Sequence, residues 1–202
     1  MTVAATNSRL RRNRLLLVLL IVLFTVSPLT AWLLFGNWQP KGSVAHGELL
    51  SPARPLPAWQ GYDFDGRPVD ANVLRGRWNM VYLSAGGPCN KACETSLYNI
   101  RQLKIALGKD MERAQAVLLL TQTADAEFLR LLEQEHDALL KLVLDDNAVP
   151  HLMAEAFGDN VVDQGVYLVD PLGNLFMRYS TDVNPSDILK DLRRLLKYSK
   201  IG

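Results

Sequence analysis

Thiol and imidazole ligands are scarce in this sequence: two cysteines, Cys89 and Cys93, and three histidines, His46, His136 and His151, among 202 residues. That scarcity excludes a multiply cross-linked scaffold and the four-ligand spacing of a structural zinc site. A Ser/His/Asp arrangement and a glycine-rich phosphate loop are both absent, which argues against triad hydrolysis and nucleotide chemistry. Internal repeats and low-complexity tracts are missing too, so a solenoid is excluded. Charge of one sign is not in excess, with 22 Lys+Arg against 21 Asp+Glu and a net charge of +1. Four of the basic residues, Arg9, Arg11, Arg12 and Arg14, stand at the N-terminus, leaving 18 basic against 21 acidic residues in the remainder. A mildly acidic remainder with no Lys/Arg stripe argues against nucleic acid as a partner.

What the chain does have is one long apolar run. Leu15 to Phe35 carries no charge, and about 20 apolar residues suffice to cross a bilayer as a helix. Pro28 interrupts the run, a tolerated feature of membrane helices. Trp32 and Trp38 fall near its outer end, where indole rings favour the interface. No acidic residue precedes the run, so the arginines place the N-terminus in the cytoplasm by the positive-inside rule. The rival is a cleaved signal peptide, but its apolar region is typically 7–15 residues with a small-x-small site directly after. Here the nearest such site, Ser43-Val44-Ala45, lies several polar residues further on. The expectation is a retained anchor over 15–35, with a cytoplasmic basic segment over 1–14.

Residues 36–58 read as a tether, being rich in proline and glycine, with Pro40, Pro52, Pro55 and Pro57. The folded domain is expected over 59–202. Asp65-Gly66 marks a hairpin turn between short apolar runs. Trp78 to Leu83 reads as a buried strand, and Gly86 and Gly87 as a tight loop leading into a helix that Gly108 stops. Leu97, Ile100, Leu103 and Leu107 share one face of that helix, and the same spacing turns Cys93 inward. Ala116 to Leu120 is a second buried strand, Ala124 to Glu135 an amphipathic helix, Leu139 to Leu144 a short strand and Val149 to Phe157 a short helix. Val166–Val169 and Leu175–Tyr179 flank a turn at 170–174 and form a second hairpin. Asn184 and Pro185 open a last helix. Without its additions, the order is β-α-β followed by β-β-α.

Both cysteines fall at the start of the first long helix of this domain. Free N–H groups and the helix dipole there favour a thiolate, and Lys91 adds a cation. Cys89 is expected to be the more exposed of the two and the attacking thiol, with Cys93 resolving. A helical rise of 1.5 Å per residue separates the pair by ~6 Å, near the upper end of the disulfide range. A static cross-link is the competing reading. It gains little, because a five-residue loop is worth only ~2 kcal/mol against about 4.7 for a 100-residue loop. Two thiolates can also hold soft Cu(I).

Taken together, these segments resemble the Sco/SenC family of membrane-anchored, thioredoxin-fold proteins of cytochrome oxidase assembly. The resemblance rests on Phe64-Asp65-Gly66-Arg67-Pro68-Val69, on Leu74-Arg75-Gly76-Arg77-Trp78 before the strand, on the Cys89-x-x-x-Cys93 spacing, and on Tyr167 through Asn174. It implies an α/β, thioredoxin-like (redoxin-type) fold with an N-terminal β-hairpin behind one transmembrane helix. The short basic N-terminus suits a bacterial inner membrane, so the expectation is a domain facing the periplasm from that membrane. Members of this family bind copper through both cysteines and one histidine, or act as thiol reductants for the oxidase copper centre. Their partner is the oxidase subunit that carries this centre, or another assembly factor. The family histidine follows a Val-Asp pair; here Val162-Asp163 is followed by Gln164, and the prolines that follow the family cysteines are replaced by Asn90 and Glu94. Dithiol exchange by Cys89 and Cys93 is thus the leading expectation, with a copper(I) carrier and a structural disulfide as alternatives. Of the histidines, His151 beside Met153 is the candidate for a third copper ligand. His46 is assigned to the tether, and His136 to the solvent-facing end of a helix.

Overall fold

The structure is a computed structural model that describes residues 3–35, 45–84, 86–122, 124–145, 147–157 and 165–202. It divides into two units, Met1–Gly42 and Ser43–Gly202. The first holds helix α1, Val3–Phe35, with Pro28 inside it. Within α1, Arg12–Leu33 is apolar enough (mean hydropathy 2.4) and long enough at 22 residues to cross a membrane. A single apolar helix of this kind near the N-terminus fits a single-pass membrane protein.

The second unit is built on one eight-stranded sheet. Its strands are β1 (Glu48–Pro55), β2 (Gln60–Asp63), β3 (Pro68–Asp70), β4 (Trp78–Ser84), β5 (Ala114–Leu120), β6 (Leu140–Leu144), β7 (Val166–Val169) and β8 (Asn174–Tyr179), in the spatial order β1-β8-β7-β4-β5-β6-β2-β3. β4, β5 and β6 run parallel, with Trp78 opposite Ala114 and Val117 opposite Leu140. β7 lies antiparallel to β4, and β8 to β7. The central strand β4 is buried along its whole length. A strand covered on both faces reads as a near-continuous apolar run; Trp78 to Leu83 fits except for Asn79, whose buried side-chain amide donates to the Leu74 and Arg77 carbonyls.

Alternation along β4 sends its side chains to two cores. Met80 and Tyr82 join a cluster with Cys93, Leu97 and Ile100 of helix α2 (Lys91–Ala106), Phe128 and Leu132 of α3 (Ala126–Glu135), and Ile188, Leu192 and Leu196 of α5 (Pro185–Tyr198). Val81 and Leu83 face the other way, onto Trp59, Leu74, and Val149 and Met153 of α4 (Ala148–Phe157). The sheet is therefore a middle layer with α2, α3 and α5 on one face and α4 on the other. The β4-α2-β5 and β7-β8-α5 units give the β-α-β/β-β-α order of a thioredoxin-like fold.

The tether expectation requires correction. The sheet begins at Glu48, well inside 36–58: β1 pairs antiparallel with β8, Glu48 opposite Arg178 and Pro55 opposite Asn174. Proline disqualifies a central strand because it lacks a ladder donor, yet it is tolerated at an edge or a bulge. β1 is an edge strand whose register shifts between Leu49 and Arg54, so Pro52 and Pro55 fit there. The hairpin expected at Asp65-Gly66 is present as β2–β3, with Gly66 at φ 77.

Candidate redox site

The loop that carries the first cysteine leaves the C-terminal end of β4. Gly86 and Gly87 take φ values of 88 and 73, a left-handed backbone that disfavours other residues. A parallel bridge ties Gly87 to Ala124, ahead of α3. Pro88 and Cys89 follow, and Asn90 then caps α2 by accepting the Cys93 N–H at 3.0 Å on its side-chain oxygen. Cys89 thus lies just outside the helix and Cys93 in its first turn.

The two cysteines form a disulfide with a Cα separation of 5.4 Å. That is shorter than the ~6 Å expected from helical rise; Cys89 lies outside α2, ahead of its cap Asn90. The observed spacing lies within the usual 4.4–6.8 Å. The pair is asymmetric: Cys93 is buried, only 4% exposed, among the residues of the α2-side core, whereas Cys89 is half-buried. Cys89 opens onto a groove of about 160 Å³, lined by Pro88, Cys89, Glu94, Glu127, Phe128 and Leu131. Glu94 comes from α2 and Glu127 from α3; both are exposed. Sequence reasoning did not mark these two carboxylates, because only the packing of α2 beside α3 brings them to the same cysteine.

Chemically, such a pair can exchange. A thiolate reaching Cys89 Sγ finds Cys93 as the leaving group, and the buried sulfur is shielded from direct attack.

Residues 78–199 match the family model described as "Transmembrane-like, thioredoxin-like, C-terminal domain". The chain belongs to that family. This thioredoxin-like domain also shares its fold with solved structures, as the Sco/SenC resemblance implied. Yeast Sco1 with copper bound superposes at a TM-score of 0.59 with 15% identity, over 74% of this chain and 96% of that one. A thiol:disulfide interchange protein from Bacteroides sp. gives 0.56 and 18%, over 75% and 93%. BsSco, described as a member of the Sco family of cytochrome c oxidase assembly proteins with a disulfide switch, gives 0.53 and 16%, over 73% and 96%. Among curated proteins, nothing matches the sequence.

The histidines are distributed unlike a single site. His151 is exposed on α4, which packs on the sheet face opposite to that of Cys93. Val162, Asp163 and Gln164, the segment that the resemblance aligns with the family histidine, lie outside the described residues. Among the described residues, no group of three or more His, Cys, Asp or Glu is arranged to hold a metal ion. Paired as a disulfide, the two sulfurs offer no thiolate, so the copper donor set expected from the resemblance requires reduction first.

Two histidine expectations need correction. His136 is buried, only 2% exposed, because the chain turns inward there towards β6, Leu139 N–H donating to the His136 carbonyl. Burial lowers its pKa below the ordinary value, with Arg101 and then Lys141 adding to the effect and Glu135 opposing it. His46 belongs to the folded unit rather than to a free tether. Its backbone N–H donates to Asp191 Oδ2 at 2.7 Å, and its Nδ1 lies 3.1 Å from Asp191 Oδ1. Asp191 is itself buried and also accepts from the Tyr179 hydroxyl at 3.0 Å. With a sequence separation of 145, the His46–Asp191 contact could not be read from local pattern.

Proposed function

We propose that this chain is a membrane-anchored thiol–disulfide protein that uses Cys89 and Cys93 to keep thiols of a respiratory oxidase copper centre, or of another assembly factor, in their working redox state. The observation that carries the reading is the asymmetry of the pair: a half-buried Cys89 beside a groove, bonded to a buried Cys93 only four residues on. A cross-link of that span adds little stability. The reading agrees with the names of two solved structures of the same fold, a thiol:disulfide interchange protein and a Sco protein described with a disulfide switch.

In the reduced protein the Cys89 thiolate attacks one sulfur of a partner disulfide. The partner's other sulfur leaves as a thiolate, and a mixed disulfide forms. Cys93 then attacks Cys89 Sγ, restoring the intramolecular bond and releasing the reduced partner. Two electrons pass to the partner, and the two thiol protons leave for its thiolates or water. The helix start holding both cysteines favours the ionised form. The anchor keeps this chemistry at a membrane; with Arg12 and Arg14 on the cytoplasmic side, the domain faces the periplasm from a bacterial inner membrane.

The test is partner trapping with the full-length chain. Cys93→Ser accumulates mixed disulfides through Cys89 and Cys89→Ser does not; alkylation of the reduced wild type modifies Cys89 first. Equal, slow labelling of both thiols, or a reduction potential below about −300 mV, indicates a structural cross-link instead.

A second reading is a copper(I) carrier, favoured by the copper-bound yeast Sco1 structure of the same fold. After reduction, two thiolates suit soft Cu(I), whereas Cu(II) requires a fuller donor set with imidazole. Anaerobic titration distinguishes the readings. Reduced wild type takes up Cu(I) and holds Cu(II) poorly, Gln164→His improves Cu(II) retention, and His151→Ala changes neither. Stoichiometric, stable Cu(II) in the wild type favours the carrier.

A further inference from the structure

We propose that the groove beside Cys89 selects thiol partners whose cysteine is flanked by lysine or arginine and by an aliphatic side chain. The inference rests on the exchange reading above and specifies its substrate class. At about 160 Å³ the groove is well below the 300–1,000 Å³ of a small-molecule pocket. It has room for a side chain of an extended segment rather than for a free cofactor. Its apolar part comes from Pro88, Leu131 and the edge of Phe128. Its charge comes from Glu94 and Glu127, and no cation is among the lining residues. Lys91, the nearby cation in the first turn of α2, is exposed and does not line the groove.

Two carboxylates among the residues lining the groove, one from α2 and one from α3, set the electrostatics beside Cys89. An incoming thiolate is an anion, so the carboxylates oppose its approach unless its own flanking residues compensate. Small anionic thiols meet uncompensated repulsion, while a cysteine between cations brings its counter-charges into the groove. Rim charges of this kind act mainly on the encounter rate and are screened by salt. The carboxylates hence discriminate among thiols without altering the disulfide, which is held by α2 and the Gly86–Pro88 loop.

The reaction that reads this out is reduction of the Cys89–Cys93 disulfide. One peptide thiolate attacks Cys89 Sγ, the S–S bond breaks, and Cys93 leaves as a thiolate that takes a proton from water. A second peptide thiolate attacks the peptide sulfur of the mixed disulfide, freeing Cys89. The protein gains two electrons, and two peptide thiols become one peptide disulfide.

The experiment uses the full chain in non-ionic detergent and two blocked peptides, each with one cysteine beside a leucine, flanked in one by two lysines and in the other by two glutamates. Second-order rate constants are normalised to the thiolate fraction of each thiol, with dithiothreitol, which carries no charge besides its reacting thiolate, as reference. At low salt the lysine peptide should react roughly fivefold faster than the glutamate peptide, the size expected for two partly screened charge pairs. The preference should vanish in the Glu94→Gln/Glu127→Gln double variant and at 1 M salt, while dithiothreitol, repelled only through its own thiolate, should gain less than the glutamate peptide does. Equal rates for the two peptides in wild type, or an undiminished preference in the double variant, overturn the inference while leaving the exchange reading intact. A disulfide that resists dithiothreitol in the folded protein overturns the exchange reading, and this inference with it.

Discussion

Replacing Asp191 by alanine should destabilise the folded unit far more than its position on a helix suggests. The carboxylate is buried at 5% exposure and accepts from the Tyr179 hydroxyl at 3.0 Å and the His46 backbone N–H at 2.7 Å, with His46 Nδ1 at 3.1 Å. Removing it strands the hydroxyl of Tyr179, a residue only 1% exposed. A buried donor left unsatisfied costs about 1–3 kcal/mol, and a hydrogen bond to a charged group contributes about 1.5–3 kcal/mol. His46 is partly exposed, so water replaces its lost acceptor, and relief of the carboxylate's own desolvation offsets part of the loss. The net expectation is ~2–4 kcal/mol, equivalent to a Tm decrease of about 4–16 °C for a domain of this size. The assay is thermal unfolding of the full chain in detergent, followed by near-ultraviolet circular dichroism. Asp191→Ala and Tyr179→Phe should be non-additive by at least ~1 kcal/mol, because they share one hydrogen bond. The same cluster sets an alkaline limit. Burial first, and then the charge of Asp191 and its hydrogen bond, push the Tyr179 hydroxyl far above its ordinary value of 10.0. The unfolded chain releases this proton above about pH 10 while the folded protein retains it. This contribution is thus complete below pH ~10 and is lost progressively above it. Tyr179→Phe should flatten the alkaline decline. A cost below ~0.5 kcal/mol for Asp191→Ala, or strict additivity with Tyr179→Phe, would refute the account.

Three further outcomes are expected. His136 has its pKa lowered in the folded state by burial, so its contribution is present above pH ~6.5 and is lost as pH falls, when the unfolded chain takes up the proton more readily; His136→Leu should reduce the acid sensitivity of unfolding, and an unchanged pH profile contradicts this. Asn90→Ala removes the acceptor of the Cys93 N–H and should cost about 1 kcal/mol, while Asn90→Ser or Asn90→Asp should recover most of it in the same unfolding assay. Alkaline phosphatase fused after Gly202 should be active, with the protein in the membrane fraction; an active cytoplasmic reporter there contradicts the orientation drawn from the N-terminal arginines.

Local pattern determined a large share of this molecule. The apolar run, the buried β4, the helix carrying Cys93 on its inner face, the Asp65-Gly66 hairpin and the Asn184–Pro185 helix start are all set by short-range rules of periodicity, capping and turn chemistry. Those rules act within a few residues, so they are legible in one dimension. The two cysteines were legible for the same reason, since their spacing and the adjacent cap place them together without help from distant parts of the chain. Tertiary structure decided what depends on contacts across the chain. Prolines 52 and 55 argue against a strand locally, and only the free edge of β8 makes β1 possible. His46 and His136 sit in polar stretches that read as exposed. One is held by Asp191 from the far end of the sequence and the other is turned inward towards β6. Glu94 and Glu127 are ordinary surface acids until the sheet sets α2 beside α3; there they line one groove with Cys89, because a side chain's neighbours in space are set by packing rather than by order along the chain.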